Sequence, residues 1–554
     1  MKEILIIGAG FAGITAAICA AEEGHKVTLA ASGYSERAQS VMAMGGINAA
    51  LNTKGQNDSV EEHYEDTMRS GCYINNKAAV KKLTQDAPEV VKWLVDLGVN
   101  FSRDENNNVD LRYFGGQKKM RTAYASARTG KQLMSGLVSA CRKHEVNGNV
   151  NRIVGWYFLS LVLTDRNVCA GALLYHKETG EIKAFPADAV ILATGGANRI
   201  FGKTTGSILN DGSTTGMAMM KGIECSNLEM IQFHPTTIQF QDKRLLITEA
   251  ARGEGGRLYT MKDNKKWYFM EEWYPEMGAL MPRDVVSRSI YKVCNIMNLG
   301  IDGKNQVYLD ITELPEKKVK TALDEVVQTC TRYLNLDPCK EPIPVYPGIH
   351  YFMGGIHTDE NHKTNIEGVY AAGECSSQYH GANRLGGNST LGSIHGGMVA
   401  AKTISEEECT IPDKEKWCKI AYNEEMKEIQ KWKETEENAR TSSLKLLERL
   451  SEIMNQGMGI YRDEQQLLNA MKMLDELKQQ SNGLRKSEGY YEWKRISAMI
   501  LLAKSMIMSA LERKESRGSH QRIDYQETDD KNYMKSTIAK YDELHGVSIE
   551  FREI

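Results

Sequence analysis

Five short segments of the chain combine His, Arg and Glu with Gly, and none of them follows the periodicity of a helix or a strand. They span residues 232–236, 248–256, 282–288, 350–356 and 380–389. Arginine and histidine beside glycine-rich turns bind carboxylates through charge-assisted hydrogen bonds, which arginine makes in bidentate geometry. The segments therefore favour a ligand with two carboxylates, and the candidate groups are His234, His350, Arg252, Arg283 and Arg384. Taken singly, each segment also has a structural interpretation as a turn, a surface ion pair or a buried histidine.

A second ligand-binding pattern stands at the start of the chain. An apolar run of strand length at 3–7 leads into Gly8-Ala-Gly10-Phe-Ala-Gly13, which opens a helical pattern, and 26–31 has the composition of a second strand. In such a unit the first glycine allows a tight turn, the second lets the backbone approach a pyrophosphate, and the third lets the helix pack on the strand. The pattern predicts a bound dinucleotide. Ser32 stands where an acidic residue usually binds the ribose, so that contact is expected to be weak.

Length and composition limit the class of protein. With 554 residues, of which 41% are hydrophobic and 25% charged, the chain is expected to fold into several domains. Its 69 basic and 72 acidic residues give a net charge of −3, without the basic excess typical of nucleic-acid binding. The eleven cysteines include no pair at the two-residue gap of zinc or iron-sulfur sites, so no metal site is expected. The apolar start is a strand and not a signal peptide, which favours a cytoplasmic protein.

The pattern along the chain predicts an α/β protein with a discontinuous, Rossmann-like nucleotide-binding domain. Apolar runs at 189–193 and 368–372 each end in a small-residue turn, as strands do at the ligand edge of a parallel sheet. From about 411 the chain becomes rich in Lys, Glu, Leu and Met at helical spacing, and the stripes beginning at Leu444 and Leu467 are interpreted as core. The expected units are a nucleotide-binding domain (1–230 and 346–410), an inserted α+β capping domain (231–345), a helical domain (411–520) and a tail (521–554).

The ordered motifs resemble those of one protein family. They read GAGFAG, MGGINAA, FGGQ, QFHPTT, TEAARGEGG, MPRDVVSR, HYFMGGI, AAGE and GANRLGGNS, followed by ESRGSHQRIDY at 515–525. In this order they are similar to the flavoprotein subunit of succinate dehydrogenase and fumarate reductase, a family that also includes L-aspartate oxidase. The resemblance covers about residues 1–535 and rests on nine motifs, which together are far more specific than any one of them.

The resemblance implies FAD as the cofactor and names the residues that would hold it. The pyrophosphate would lie on the glycine-rich turn, the isoalloxazine beside the paired glycines of MGGINAA, and the flavin pyrimidine edge at a helix beginning near residue 389. Glu374 resembles the acidic residue at the ribitol or phosphate region, and Asp211 resembles a family aspartate despite a looser spacing. The cofactor-binding residues implied are Gly8, Gly10, Gly13, Ser32, Ser40, Gly45, Gly46, Thr194, Gly195, Asp211, Glu374, Ser389 and Thr390.

For the substrate, the resemblance implies a C4 dicarboxylate held over the flavin. One carboxylate would lie between His234 and Thr248, and the other between His350 and Arg384. A hydride would pass from flavin N5 to one carbon of fumarate, while Arg283 protonates the other carbon. Glu249 and Arg252 would form the relay that returns a proton to Arg283.

One position departs from many family members. A histidine six residues before the paired glycines is bonded covalently to the flavin in those members, and Gln39 stands there in this chain. An amide cannot form that bond, so the chain is expected to bind FAD non-covalently. A lower flavin potential would follow, favouring fumarate reduction over succinate oxidation.

Other functions remain open at this stage. L-aspartate oxidase shares the same motifs, but it typically has a glutamate before the two glycines of FGGQ, where this chain has Phe114. A non-catalytic FAD-binding paralogue is disfavoured because the His, Arg and Glu set is intact. A related enoate could replace fumarate as acceptor. By resemblance, the electron donor would be an iron-sulfur subunit, so that the chain would meet a membrane only through partner subunits, at its inner face.

Overall fold

The computed structural model describes residues 1–125, 129–241, 243–408, 410–435 and 441–554. Cys409 lies outside the described residues. The strands are β1 (Glu3–Ile7), β2 (Lys26–Ala31), β3 (Ile47–Asn48), β4 (Leu111–Arg112), β5 (Thr122–Ala123), β6 (Val150–Val154), β7 (Trp156–Leu163), β8 (Cys169–His176), β9 (Ile182–Pro186), β10 (Ala189–Leu192), β11 (Cys225–Ser226), β12 (Ile231–Phe240), β13 (Lys243–Leu246), β14 (Arg257–Lys262), β15 (Lys265–Trp267), β16 (Val307–Asp310), β17 (Ile343–Phe352), β18 (Gly355–His357), β19 (Val369–Ala371), β20 (Ser376–Ser377), β21 (Ser536–Asp542) and β22 (Gly546–Arg552).

The helices lie between these strands and dominate the chain after residue 388. They are α1 (Phe11–Glu22), α2 (Val60–Ser70), α3 (Lys77–Asp96), α4 (Thr129–Val146), α5 (Asn198–Phe201), α6 (Ser213–Met219), α7 (Ala250–Gly253), α8 (Phe269–Trp273), α9 (Arg283–Tyr291), α10 (Glu316–Ala322), α11 (Asp324–Leu334), α12 (Asn388–Glu406), α13 (Lys414–Glu434), α14 (Ser443–Gly457), α15 (Glu464–Ser481), α16 (Tyr490–Glu512) and α17 (Asp530–Tyr533).

A five-stranded parallel sheet in the order β19-β10-β1-β2-β6 forms the centre of the protein. Successive residues of β1 point to opposite faces, so Ile4 and Ile6 join one hydrophobic cluster while Leu5 and Ile7 join another. The first cluster includes α1, α4 and α12, and the second includes α14, α15 and α16. The predicted Rossmann-like sheet, assembled from distant parts of the chain, is confirmed.

A second, six-stranded sheet has the order β13-β12-β17-β16-β14-β15. Its long strands β12 and β17 pair antiparallel, and this pairing sets His234 opposite Gly348. Its own cluster of buried side chains includes Leu258, Val286 and Val345. Because β17 runs from residue 343 to 352, it continues through the boundary expected at 345–346 and ties the sheet to the loops that follow.

The C-terminal region is helical, as its composition predicts, but its core is shared. Leu447, Leu450 and Leu467 lie in the same hydrophobic cluster as strand β1 of the central sheet. The interpretation of Leu444 as core is wrong, because its side chain is 57% exposed on the outer face of α14. Within the described ranges, no helix is long and apolar enough to cross a membrane.

A buried network of charges anchors the last forty residues. Arg513 donates to Glu229 at 2.7 Å and to Glu515 at 2.9 Å, and Glu515 also accepts from Arg517 at 2.7 Å. The backbone N–H of Asp529 donates to the second oxygen of Glu515 at 2.9 Å. The segment after residue 520 ends in the hairpin β21-β22, whose first strand pairs with β11. The network therefore fastens this hairpin to the body of the protein.

We expect Glu515→Gln to lower the free energy of unfolding by about 3–5 kcal/mol, because it leaves two buried guanidinium groups without their shared carboxylate. Thermal or urea denaturation of the purified protein measures the effect. Glu512→Gln is the matched control, since Glu512 is exposed at the end of α16. Equal stability of the two variants would show that the buried network does not stabilise this region.

Candidate active site

A cavity of about 490 Å³ lies along the carboxyl edge of the central sheet. The turns after β1, β2, β10 and β19 all contribute to its wall. The carboxyl ends of parallel strands lie at one edge of a sheet. The pairing of these strands therefore brings their turns together, although they are far apart in the sequence. The predicted cofactor residues found in the wall are Gly8, Gly10, Ser32, Ser40, Gly45, Gly46, Thr194, Gly195, Asp211, Glu374, Ser389 and Thr390.

The turn after β1 directs the N-terminus of α1 at the cavity. Gly8 has φ +108°, and a Cβ there would lie 2.2 Å from the carbonyl oxygen of Ala193. Helix α1 follows Gly10 without a side-chain cap, and the N–H of Phe11 donates to Ser40 Oγ at 3.0 Å. The cavity is thus next to the positive end of a twelve-residue helix, which suits a pyrophosphate.

Gly13 is the one predicted cofactor residue that the structure places outside the cavity wall. A Cβ at this position would lie 1.8 Å from the carbonyl oxygen of Gly8. Because Gly13 has no Cβ, α1 packs tightly against the turn. Gly13 therefore shapes the site through packing and not through a surface that faces the ligand.

A second helix, α12, also begins at the cavity. Gly387, the capping residue just before it, has φ +86° and provides no side-chain cap, and a Cβ there would lie 2.0 Å from Asn48 Oδ1. Ser389 and Thr390 of its first turn line the cavity. The free N–H groups of this nineteen-residue helix would stabilise negative charge on a bound ring.

The paired glycines form a wall without side chains. A Cβ at Gly45 would lie 2.8 Å from the ring of Phe114, and one at Gly46, which has φ +139°, would lie 2.4 Å from the carbonyl oxygen of Ala123. Gln39 lines the same cavity in a one-turn helix that includes Ser40. A flat wall beside two helix N-termini fits the planar ring system and the pyrophosphate of FAD.

The two predicted acidic residues differ in how far they are free to bind a ligand. Asp211 accepts from the N–H and the hydroxyl of Ser213 at 2.9 and 2.7 Å, and its other oxygen pairs with Arg495 at 2.8 Å. Both of its oxygens are thus engaged within the chain. Glu374 accepts from the N–H of Phe352 at 3.2 Å, and burial raises its pKa to about 7.

The three predicted catalytic side chains form one buried ion-pair chain. Glu249 accepts from Arg283 at 2.6 and 3.0 Å through one oxygen and from Arg252 at 2.9 Å through the other. Burial opposes the charge of Glu249, but the two guanidinium groups outweigh it and keep its pKa below the usual value. Arg283 and Glu249 line the cavity, whereas Arg252 lies behind them and donates to the carbonyl of Ala279 at 2.6 Å.

Gln232 is a site residue that the sequence reasoning did not single out. Its Oε1 accepts from Arg283 at 3.1 Å and from Arg384 at 3.0 Å, and its Nε2 donates to Asn383 and to the carbonyl of Arg384, both at 2.8 Å. One neutral amide thereby holds two like charges at a fixed spacing. Its place in the QFHPTT motif was the available signal.

His234 and His350 stand together across the β12–β17 pair, with ring centroids 5.2 Å apart. Burial and the positive charge of Arg283 lower the pKa of each histidine well below 6.5, so both are neutral at pH 7. His234 Nε2 is buried and lacks a hydrogen-bond partner, as does Nε of Arg384. Thr248 lines the same cavity and accepts from the N–H of Ala250 at 3.3 Å.

The charges of this cluster do not balance. Arg252, Arg283 and Arg384 are all buried, and in the part of the chain that the structure describes Glu249 is the carboxylate hydrogen-bonded to any of them. Burial and the charge of Arg283 lower the pKa of Arg384 to about 9. Within this hydrogen-bonded set, three guanidinium groups thus face one carboxylate beside two neutral histidines, and Glu374 is a further acidic group within electrostatic reach of Arg384. A bound dianion would compensate the excess positive charge.

Comparison with known proteins agrees with this geometry. The FAD binding domain family matches residues 3–390, and the family described as the fumarate reductase flavoprotein C-terminus matches residues 447–554. The succinate dehydrogenase flavoprotein subunit of Bacillus subtilis strain 168 is 39% identical over 552 residues, which is 98% of this chain and 94% of that protein. The fumarate reductase flavoprotein subunit of Haemophilus influenzae is 32% identical, covering 100% of this chain and 94% of that protein.

Among solved structures, an E. coli quinol fumarate reductase chain superposes with a TM-score of 0.92 at 29% identity, covering 100% of this chain and 96% of that one. FAD, for which the helix termini and glycine walls provide a fitting site, is accordingly the cofactor. The resemblance inferred from nine motifs is confirmed: the chain belongs to the succinate dehydrogenase and fumarate reductase flavoprotein family, and it is an FAD-dependent oxidoreductase.

Proposed function

We propose that the chain reduces fumarate to succinate as the catalytic subunit of a fumarate reductase with non-covalently bound FAD. The observation that carries this proposal is the buried excess of two guanidinium charges next to two neutral histidines in the wall of the FAD cavity. A dianionic C4 substrate compensates both charges. Relatives named for fumarate reduction and for succinate oxidation support the same substrate pair.

The unpartnered donors indicate where the two carboxylates bind. His234 Nε2 has no partner and, with Thr248, takes one carboxylate. Arg384 Nε also has no partner and, with His350, takes the other. Because Gln232 ties Arg384 to Arg283, the second carboxylate and the proton donor are held in a fixed relation.

Arg283 is the proton donor in this proposal. Bound FAD, once reduced, supplies the hydride that adds to one alkene carbon. The other carbon gains a proton from the Arg283 guanidinium, so that one hydride and one proton convert fumarate to succinate. Glu249, 2.6 Å from Arg283, passes a proton back, and Arg252 on its other oxygen completes the relay. Proton transfer by a positioned group of this kind contributes about 10²–10⁴-fold to a rate.

Phe114 favours a dicarboxylate over an amino acid. It is buried beside Gly45 and Gly386, where it offers no charge to an ammonium group. Glu249, which lies against Gly115 of the same loop, is already paired with two arginines. A substrate ammonium would therefore add a third uncompensated positive charge to the cluster, at a cost of several kcal/mol. This disfavours L-aspartate as substrate.

Gln39 supports non-covalent FAD and the reducing direction. It lines the cavity in front of the paired glycines, and its amide has no nucleophilic nitrogen for a bond to the flavin. A flavin without that bond has a lower potential and gives up electrons more readily. The relatives are named flavoprotein subunits, and we infer that an iron-sulfur subunit delivers electrons to this chain.

The function is tested with the purified holoprotein under anaerobic conditions. We expect fumarate to oxidise reduced viologen dye rapidly, succinate oxidation to be slower, and L-aspartate to release no peroxide in air. Peroxide formation from L-aspartate without fumarate reduction would replace the proposal with L-aspartate oxidase. Flavin binding without either activity would favour a non-catalytic paralogue.

Arg283→Lys is expected to keep its FAD and its fold but to lose at least about 100-fold in fumarate turnover, because lysine lacks the planar set of donors with which Arg283 bonds Glu249 and Gln232 together. Flavin absorbance and stopped-flow dye oxidation measure the two properties. Arg288→Lys is the matched control, since Arg288 lies on the same helix and bonds to Asp284 and the carbonyl of Gly518 instead. Wild-type turnover in Arg283→Lys would remove Arg283 from the mechanism.

Denaturing gel electrophoresis tests the state of the cofactor. We expect no flavin fluorescence in the protein band, and all of the FAD in the supernatant after acid precipitation. A fluorescent band would contradict the assignment drawn from Gln39 and would require another attachment residue.

A further inference from the structure

A threonine outside every motif contacts one of the substrate histidines. Thr205 lies in the loop between α5 and α6 and lines the cavity. Its Oγ1 is 2.7 Å from Nδ1 of His350, which is 145 residues away in the sequence. Nothing in the spacing of the two residues indicates this contact.

The loop that carries Thr205 is fixed on both sides. The N–H of Thr205 donates to the carbonyl of Ile349 at 3.1 Å, which attaches the loop to β17 next to His350. The carbonyl of Thr204 accepts from the N–H of Arg244 in β13 at 3.3 Å. The Oγ1 of Thr204 accepts from the N–H of Gly206 at 3.2 Å. The position of the Thr205 hydroxyl is therefore set by backbone contacts.

The distances favour one direction for this hydrogen bond. The 2.7 Å between Thr205 Oγ1 and His350 Nδ1 is a short contact, and a threonine hydroxyl has one proton to donate. The other acceptor within reach of the hydroxyl is the carbonyl of Ile349, at 3.4 Å. That longer contact is the weaker position for the hydroxyl proton. With the proton on the shorter contact, the hydroxyl donates to Nδ1 and Nε2 of the neutral imidazole keeps its own proton.

We infer that Thr205 is a positioning residue that fixes the Nε2–H tautomer and the ring orientation of His350, so that this histidine presents a donor to the substrate carboxylate. This inference rests on the proposed function for the identity of the ligand. With the other tautomer, a nitrogen lone pair would face the carboxylate and repel it. Without the Thr205 hydroxyl, the ring would also lose the contact that holds its orientation.

The test compares three variants of the holoprotein. Thr205→Val keeps the shape of the side chain and removes the hydroxyl, Thr205→Ser keeps the hydroxyl, and Thr204→Val alters the same loop without touching His350. We expect Thr205→Val to raise KM for fumarate about 5- to 20-fold with kcat within about 2-fold, the effect of losing a hydrogen bond made equally in the ground and transition states. Thr205→Ser is expected to restore KM.

Imidazole ¹⁵N spectra give a readout that turnover does not affect, with the His350 signals identified by their loss in His350→Gln. In the wild type we expect Nδ1 to be an unprotonated acceptor and Nε2 to be protonated, and in Thr205→Val the two shifts should approach each other. A protonated Nδ1 in the wild type, an unchanged KM in Thr205→Val, or an equal KM increase in Thr204→Val would overturn the inference. Absence of fumarate turnover in the wild type would instead contradict the proposed function, and the spectra would still decide the role of Thr205.

Discussion

The site depends on an imbalance of buried charge. Arg252, Arg283 and Arg384 are buried close together, and among the described residues the protein supplies them with one hydrogen-bonded carboxylate, Glu249. Such an arrangement costs folding free energy, because each desolvated charge must find a partner. Gln232 reduces the repulsion between Arg283 and Arg384 by offering both the same carbonyl oxygen. The dianion proposed as substrate would balance the remaining charge.

Two sets of contacts in the fold hold this unfavourable cluster in place. Arg283 begins α9, and the neighbouring Asp284 accepts from Asn383 at 2.8 Å, which ties the helix to the loop of Arg384. The carbonyl of Ala382 accepts from both the N–H and the hydroxyl of Ser519, at 2.9 and 2.8 Å. The C-terminal segment therefore supports the substrate loop from behind, although none of its residues lines the cavity. The buried network around Glu515 therefore not only stabilises the fold but also helps to hold the loop of Arg384 in position.

Sequence patterns predicted the parts of this structure that depend on local order. Apolar runs that end in small residues predicted the strand–turn–helix at the N-terminus and the strands ending near 193 and 372. The turns after these strands form part of the wall of the FAD cavity. Contacts between distant side chains were not predictable in the same way. The exposure of Leu444, the pairing of Asp211 with Arg495 and the Thr205–His350 bond each depend on segments that meet only in the folded chain. A motif names the residue types in a site, whereas the partner of each polar atom is set by tertiary packing.

The neutrality of the histidines explains why their orientation matters. A charged imidazolium donates from both nitrogens and attracts a carboxylate from any direction, but burial among arginines disfavours that form. A neutral imidazole attracts the carboxylate through one N–H and repels it through the other nitrogen. In the proposed mechanism the arginines would attract the dianion, while burial, together with their charge, keeps the histidines neutral and so makes them directional hydrogen-bond donors. A site built in this way needs a further contact to fix each ring, and for His350 the structure places Thr205 at that position.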